Sequence, residues 1–316
     1  VPTYMWAPID TWPVPKQERA ILNRAEKLLA CSTWGQGVLL GHDMASEYVP
    51  CGVDTNIYDI DEEEGRKWRT QLKPEITDAT WLIGMVGLNT GHPDRKGYGY
   101  AFDVIRKFVD HHPDDDIRVF LQTNASGNGG GMDLYALREE LHLEDKVYFA
   151  RENGPNFEPD KYMRGMYNAF DVLLHTSLTE GFGVPVVEAQ VCGTPVVVNA
   201  ATSVSELATG GYRAKPHGDM WVSTATKIAV PDVDRLVLML EAAYADRQKH
   251  SRINTRANVM KYDFQNVYET YWRPLLESIP PHVDYENTGP AKLLLAAGKT
   301  KKEGFIRHDR DDHLGA

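Results

Sequence analysis

From Thr80 onward the apolar and polar positions fall into two alternating rhythms. Short, almost continuous apolar runs read as strands covered on both faces: Trp81 to Val86, Ile117 to Gln122, Lys146 to Phe149, Val172 to His175 and Pro195 to Val198. Between them, apolar residues recur three and four apart, which predicts helices over Gly97 to His111, about Asp133 to Leu141, Asp160 to Phe170 and about Val184 to Val191. Strands alternating with helices make a parallel sheet with helices on both sides. The expected fold class is therefore α/β, a Rossmann-like doubly wound parallel sheet. Such sheets bind ligands beyond the carboxyl ends of their strands, so unusual residues just after a strand carry extra weight.

The flanks are less regular. Val1 to Trp6 reads as a strand, and Lys16 to Leu29 as a helix with Ile21, Leu22, Ala25, Leu28 and Leu29 on its apolar face. Ser32 or Thr33 would cap a short helix running to Leu40, and Tyr48-Val49 is a short strand leading into Pro50-Cys51-Gly52-Val53-Asp54. The acidic run Asp59 to Glu64, with the polar stretch to Asp78, reads as a linker or a solvated helix. Asp232 to Ile279 reads as three helices, one with an apolar face of Leu236, Val237, Leu240 and Tyr244. The aromatic series Tyr262, Phe264, Tyr268, Tyr271 and Trp272 is read as packing. Beyond Pro280-Pro281 the polar tail, with its patch Leu293-Leu294-Leu295, is expected to be an extended arm or partly disordered.

Composition narrows the function chiefly by exclusion. The 316 residues are 42% hydrophobic and 25% charged, which is ordinary for a globular chain with a sizeable core. A formal net charge of −11 argues against a broad nucleic-acid surface or a polybasic membrane face, although a phosphate pocket needs only a few cations. Cys31, Cys51 and Cys192 are odd in number and form no CxxC pair, so free thiols are expected. No apolar run is long enough to span a bilayer and no apolar leader is seen, and the expected setting is soluble and cytoplasmic. Because the sequence opens at Val1 inside a strand, it reads as a fragment or a processed product.

The strongest chemical signal is Thr179-Glu180-Gly181-Phe182-Gly183-Val184-Pro185-Val186-Val187-Glu188-Ala189, which follows a strand and opens a helix. Its glycines allow close backbone approach and positive φ, and Pro185 suits a first helical turn. The N–H groups of Gly183 and Val184 would then face an incoming anion with the helix dipole behind them. Glu180 before the helix and Glu188 one turn inside it can hold hydroxyls on either side of a phosphate. Taken alone, two glutamates at this spacing would be helix charges. The glycines, the proline and the preceding strand favour a ligand site.

Glu180 and Glu188, seven residues apart, resemble the Glu-x7-Glu motif of retaining GT-B glycosyltransferases, particularly glycosyltransferase family 4. The resemblance extends through Tyr167-Asn-Ala-Phe-Asp-Val-Leu-Leu174, Ala189-Gln-Val-Cys-Gly-Thr-Pro-Val-Val197 and Ser203-Val-Ser-Glu-Leu207. Val49-Pro-Cys-Gly-Val-Asp54 is similar to the family's Pro-His-Gly-Val-Asp segment at the end of its first domain. It implies a GT-B-type fold with an incomplete N-terminal Rossmann-like domain. In that plan residues 1–62 are the remnant of an acceptor-side domain, 63–78 a linker, 79–261 the nucleotide-sugar domain, 262–280 a crossover helix and 281–316 a tail. It implies that Glu180 lies by the donor sugar hydroxyls and Glu188 binds the ribose. The backbone of Gly181, Phe182, Gly183 and Val184 would contact sugar and pyrophosphate.

A second site is Gly87-Leu-Asn-Thr-Gly-His-Pro-Asp-Arg95-Lys96-Gly97, between a strand and a helix. A departing nucleoside diphosphate carries negative charge that preorganised cations must meet, and Arg95 and Lys96 are the candidates. Many relatives place an arginine directly after the strand's glycine. Here Leu88 and Asn89 stand there, so Arg95 is expected to supply the guanidinium with Asn89 as a polar helper. Weaker matches are set aside. Asp59-Ile-Asp61 and Asp309-Arg-Asp311 fit Asp-x-Asp only literally, Gly127 to Gly131 misses the dinucleotide spacing, and His111, His112 and Asp114 read as a solvated helix end. Thr202 to Glu206 is placed near the pyrophosphate, or Glu206 is a structural cap. Base selection would fall in Arg151 to Phe157.

The resemblance thus implies a retaining hexosyltransferase using a nucleotide sugar such as a UDP- or GDP-hexose. No metal and no further cofactor is expected, and the acceptor is unknown. Arg95, Lys96 and Glu180 would be catalytic, and Asn89, Gly181, Phe182, Gly183, Val184 and Glu188 donor-binding. The rival is a non-catalytic or half-enzyme nucleotide-sugar-binding protein. A homo-oligomer or a partner chain would then supply the N-terminal part. A GT-B sugar-nucleotide epimerase is the other enzymatic reading, and the Glu-x7-Glu segment argues against it.

Overall fold

Two parallel sheets share this chain. In the computed structural model, residues 3–73, 75–91, 93–128, 130–150, 159–279 and 294–295 are described. The first sheet contains β1 (Tyr4–Ala7), β2 (Lys27–Ala30) and β3 (Ser46–Tyr48), with α1 (Lys16–Leu22) and α2 (Thr33–Leu40) as connections. Ser32 caps α2, its hydroxyl accepting from the Gly35 N–H at 3.0 Å. Of the polar tail, Leu294–Leu295 pairs in parallel with β1, and the remainder, with Asp309 and Asp311, lies outside the described residues.

The helix expected over Lys16 to Leu29 ends at Leu22, with Asn23 as its C-cap. Residues 27–30 instead form β2, registered Met5 to Leu28 and Ala7 to Ala30. Leu28 and Leu29 do recur at helical spacing. Pairing with β1 overrides that signal because it buries Leu29 and Ala30 completely, which a one-faced surface helix would not do.

α3 (Glu62–Leu72) occupies most of the stretch read as a linker or solvated helix. Its acidic first turn sits at the positive end of the helix dipole, and Arg164 binds Asp59, Asp61 and Glu64 at 2.6, 2.8 and 2.9 Å. The helix is packed rather than solvated. Its Gly65 lies so close to the Asn168 backbone carbonyl that a Cβ would overlap it. Arg69, buried, reaches Asp171 at 2.8 Å and the Thr80 carbonyl at 2.7 Å.

The second sheet takes β4 (Trp81–Val86), α4 (Tyr98–His111), β5 (Ile117–Gln122), α5 (Leu134–Glu140), β6 (Val147–Phe149), α6 (Pro159–Ala169), β7 (Val172–His175), α7 (Val184–Val191), β8 (Val196–Asn199), α8 (Val204–Leu207) and β9 (Tyr212–Ala214). Its order is β6-β5-β4-β7-β8-β9, parallel throughout, so the strand order reverses between β4 and β7. Period-two alternation divides the core. Trp81, Ile83 and Met85 of β4 join one cluster with Phe108 and Leu236, while Leu82 joins the other with Phe120, Phe170 and Val187.

After β9 come a hairpin, β10 (Gly218–Trp221) and β11 (Lys227–Val230), then α9 (Val233–Asp246) and α10 (Arg252–Ala257). β9 and the hairpin strands are only three or four residues long, too short to show a periodic signal in the sequence. The chain then crosses back. Val53 pairs with Asp263, and Leu275, in the helical run after Phe264, packs against Tyr4, Leu29 and Val49 of the first sheet. Arg256 of α10 fastens the forward crossing: its guanidinium donates to the carbonyls of Thr55 at 3.2 Å, Tyr58 at 2.9 Å and Val191, at the end of α7, at 2.7 Å. Among the described residues, no helix is long and apolar enough to cross a membrane.

Candidate active site

The loops after β4 and β7 meet at the place where strand order reverses, the expected crevice of a doubly wound sheet. Gly87 and the residues from Asp94 to Gly97 are held before they reach the crevice. The Tyr98 hydroxyl donates to the Gly87 carbonyl at 2.7 Å, and the Asp94 carboxylate accepts from the N–H groups of Gly97 and Gly99, both at 3.0 Å. Gly97 caps α4 at φ 71°, and the Thr176 hydroxyl donates to the carbonyls of Lys96 at 3.1 Å and Gly97 at 3.0 Å. The backbone of Lys96 is therefore clamped between two strand ends, and its side chain turns inward.

Glu180 is the centre of this arrangement and is only 7% exposed. One carboxylate oxygen is hydrogen-bonded by the Lys96 ammonium and by the Ser177 hydroxyl, the latter at 2.8 Å. The buried His175 Nε2 lies 3.3 Å from the same oxygen, and an Arg95 nitrogen lies 3.5 Å from the other. Arg95 also donates to the Thr179 carbonyl at 3.2 Å. Burial opposes ionisation of Glu180, but His175, Lys96 and Arg95 outweigh it and hold the acid well below the usual carboxylate range. The Glu180 N–H donates to Thr202 Oγ1 at 3.0 Å, and Ser203 Oγ donates to the Glu180 and Phe182 carbonyls. These bonds fix the loop from below.

Gly183 caps α7 with φ 106°, and Pro185 sits in the first turn. The N–H groups of Gly183 and Val184 find no acceptor among the described residues. Gly181 packs on Pro8, where an added Cβ would come within 2.7 Å of the proline ring. The Phe182 ring is buried, edge-on to Tyr262 at 5.6 Å, so its side chain serves the core and only its backbone faces the crevice.

Glu188 stands in a separate niche, and among the described residues it forms no ion pair with Arg95 or Lys96. It accepts from the Tyr167 hydroxyl at 2.8 Å and from Tyr58, a residue of the segment joining the two sheets. Burial raises its pKa, the two tyrosines only partly offset this, and Asp160 adds to the rise. Because the folded pKa is raised, the ionised acid costs stability. The cost is absent below the ordinary carboxylate pKa, grows as pH rises toward the folded value, and is fully present at neutral pH. Glu188→Gln should raise the unligated melting point at neutral pH by a few degrees (about 1 kcal/mol), with the gain vanishing near pH ~4. Thermal melts at the two pH values check this. A variant less stable at neutral pH would show that the tyrosine bonds outweigh burial.

Asn89 does not present its amide to the crevice. It is 2% exposed, donates to the carbonyls of Asn124 at 2.9 Å and Met132 at 2.7 Å, and accepts from the Met132 N–H at 3.0 Å. Its work is to tie the glycine-rich loop to the end of β4, so the expected polar contact to phosphate is replaced by a positioning role. Glu206 accepts from the backbone and the hydroxyl of Thr33, at the start of α2, and so is the cap. Asp59 and Asp61 are occupied by Arg164. His111 and His112 bind Glu241 of α9, and the loop 151–157 lies outside the described residues. Cys31 and Cys192 are buried free thiols, and Cys31 donates to the Gly181 carbonyl at 3.1 Å.

Asp10 carries no motif in the sequence. It follows β1 and lies within electrostatic range of Arg95, Glu180 and Lys96, with burial raising its pKa against the pull of Arg95. A lone aspartate after a proline-rich strand end carries no spacing signal, and only the tertiary fold brings it there. His175, for the same reason, reads from the sequence only as the end of a strand.

This fold and crevice define a GT-B glycosyltransferase architecture. The family described as Glycosyl transferases group 1 matches residues 103–260, half of the chain, and the chain belongs to that family. A D-inositol 3-phosphate glycosyltransferase of Corynebacterium jeikeium is 28% identical over 200 residues, covering 61% of this chain and 46% of that protein. An uncharacterized glycosyltransferase of Sulfolobus islandicus rod-shaped virus 1 is 26% identical over 223 residues, 66% of this chain and 62% of its own length. The chain spans about half the length of the curated relatives it matches. Among solved structures, Anabaena HepE in complex with UDP and glucose superposes with a TM-score of 0.67 at 20% identity, covering 88% of this chain and 72% of that one. Sucrose-phosphate synthase from Thermosynechococcus elongatus gives 0.63 at 20% identity, covering 82% and 61%. At these identities the structures speak for the fold alone.

Proposed function

We propose that this chain carries the donor side of a retaining glycosyltransferase, which moves a hexose-like unit from a nucleoside diphosphate sugar to an acceptor hydroxyl without a metal ion, in the cytoplasm. The observation that carries the reading is Glu180, a buried carboxylate kept ionised by Lys96, Arg95 and His175 beside the two free amides of Gly183 and Val184. An ionised acid so placed accepts hydrogen bonds from sugar hydroxyls. When the glycosidic bond breaks, charge collects on the terminal phosphate, and Lys96, Arg95 and the α7 amides are preorganised to receive it. Glu188, fixed by Tyr58 and Tyr167, accepts from the ribose hydroxyls. Retention follows if the acceptor attacks on the face the phosphate leaves, with that phosphate taking the proton. No enzymic nucleophile is assigned.

A thermal-shift series with UDP, GDP, ADP and their sugars tests the reading. A bound nucleotide stabilises the fold with the logarithm of its concentration relative to Kd, by about 2.7 kcal/mol at a hundredfold excess, and the melting point rises accordingly. We expect one base to do so, with the effect lost in Glu188→Ala. HepE was crystallised with UDP, which makes uridine the first base to try. Melting points unmoved by every nucleotide would sink the proposal, whereas binding without transfer or hydrolysis would favour the half-enzyme reading.

A further inference from the structure

We infer that the groove between Trp12, Trp34 and Trp221 is the acceptor subsite, and that it takes a neutral saccharide stacked on its aromatic faces. The inference rests on the donor reading above and extends it to the second substrate. The groove is open to solvent, with a volume of about 540 Å³, and has Trp12, Trp34, Val38 and His42 on the first-sheet side and Trp221 and Lys227 of the hairpin opposite. Trp12 and Trp34 meet edge to face at 5.7 Å, while the Trp221 side stands 63% exposed, an unusual amount for so large an apolar surface.

Position ties the groove to the reaction centre. Trp12 lies two residues beyond Asp10, which is within electrostatic range of Arg95 and Glu180. Its carbonyl accepts from the Lys227 N–H at 2.6 Å, and the Ala229 N–H, two residues on, donates to the Leu178 carbonyl at 3.0 Å, two residues before Glu180. The groove wall and the donor carboxylate thus hang on one short framework.

Charge selects the class of ligand. Lys227 lies 3.0 Å from Asp219 and 5.2 Å from the Trp221 ring centre, so its charge is already compensated. His42 Nε2 accepts the Val14 N–H at 3.1 Å. The described lining therefore offers no unengaged cation to an acceptor carrying phosphate. Indole faces flanked by polar groups match a pyranose ring, which has an apolar C–H face and a hydroxyl rim. An acyl chain would leave the rim groups without partners.

Titration of the chain with cellobiose and with maltose, read by tryptophan fluorescence, tests this directly. We expect saturable quenching by at least one of them. Trp221→Ala should weaken it about tenfold, Trp221→Phe should retain most of it, and the nucleotide-induced thermal shift should be unchanged in both variants. Glucose 1-phosphate should not compete. Absence of quenching by either disaccharide while nucleotide still binds would overturn the subsite alone, as would quenching that survives Trp221→Ala. Self-association on concentration that Trp221→Ala abolishes would overturn it in favour of an interface between copies. A missing nucleotide shift condemns the donor reading instead.

Discussion

Lys96→Met is expected to lower donor turnover by about a hundredfold or more while changing nucleotide affinity little, because the role proposed for the ammonium is to meet the charge that develops on the departing phosphate. The Lys96 side chain is only 13% exposed and pairs with the buried Glu180 carboxylate. Methionine keeps most of the stem and removes only the charge. Glu180 would remain beside Arg95 and His175, so the stability loss should stay below the roughly 3–5 kcal/mol seen when a buried charge loses its sole partner. The pH response separates this from general damage. Glu180's depressed pKa contributes stability that is present above the ordinary carboxylate pKa and is lost as pH falls through the folded value. With Lys96 gone the depression shrinks, and acid unfolding should begin at higher pH. Steady-state kinetics with the nucleotide sugar, paired with acid melts, measure both effects. Unchanged turnover in the variant would remove Lys96 from the reaction.

Gly97→Ala should be comparably damaging by a different route. Gly97 has φ 71°, a region where a Cβ costs about 1 kcal/mol or more, and the new carbon would overlap the Thr176 carbonyl. That carbonyl belongs to the backbone at the end of β7, so it cannot swing aside like a side chain. Either the start of α4 or the β7 loop must shift, and the Thr176 hydroxyl bonds that hold Lys96 would stretch or break. We expect a loss of roughly 2–4 kcal/mol in denaturant unfolding and a fall in turnover exceeding what the lost stability explains. A variant with wild-type midpoint and kinetics would show that the clamp is not needed.

Much of this could be read from residues 80–200, where buried strands and amphipathic helices have distinct periods and tertiary context agrees with local preference. The Glu180 to Glu188 segment was legible because its glycines, proline and preceding strand all point one way. Reading failed where a signal was local but the cause was not. Leu28 and Leu29 fit a helix until β1 is there to pair with them. Asn89 looked like a ligand group because nothing in the sequence shows that residues 124–132 fold back onto it. Asp10 and His175 have no motif at all. Their importance comes from a carboxylate far along the chain, and burial plus proximity cannot be inferred from spacing.

The three-way grip of Arg256 on the carbonyls of Thr55, Tyr58 and Val191 has a mechanical corollary. The joining segment and the far end of α7 must travel as one rigid piece, so the tyrosine that steadies Glu188 rides with the helix that bears it. Any swing of the first sheet has to flex upstream of Thr55, near the Val53–Asp263 bridge where the two strands of connecting chain lie side by side. Such a movement would have to break the Trp12–Lys227 backbone bond, yet it would leave the tyrosine-lined niche of Glu188 assembled.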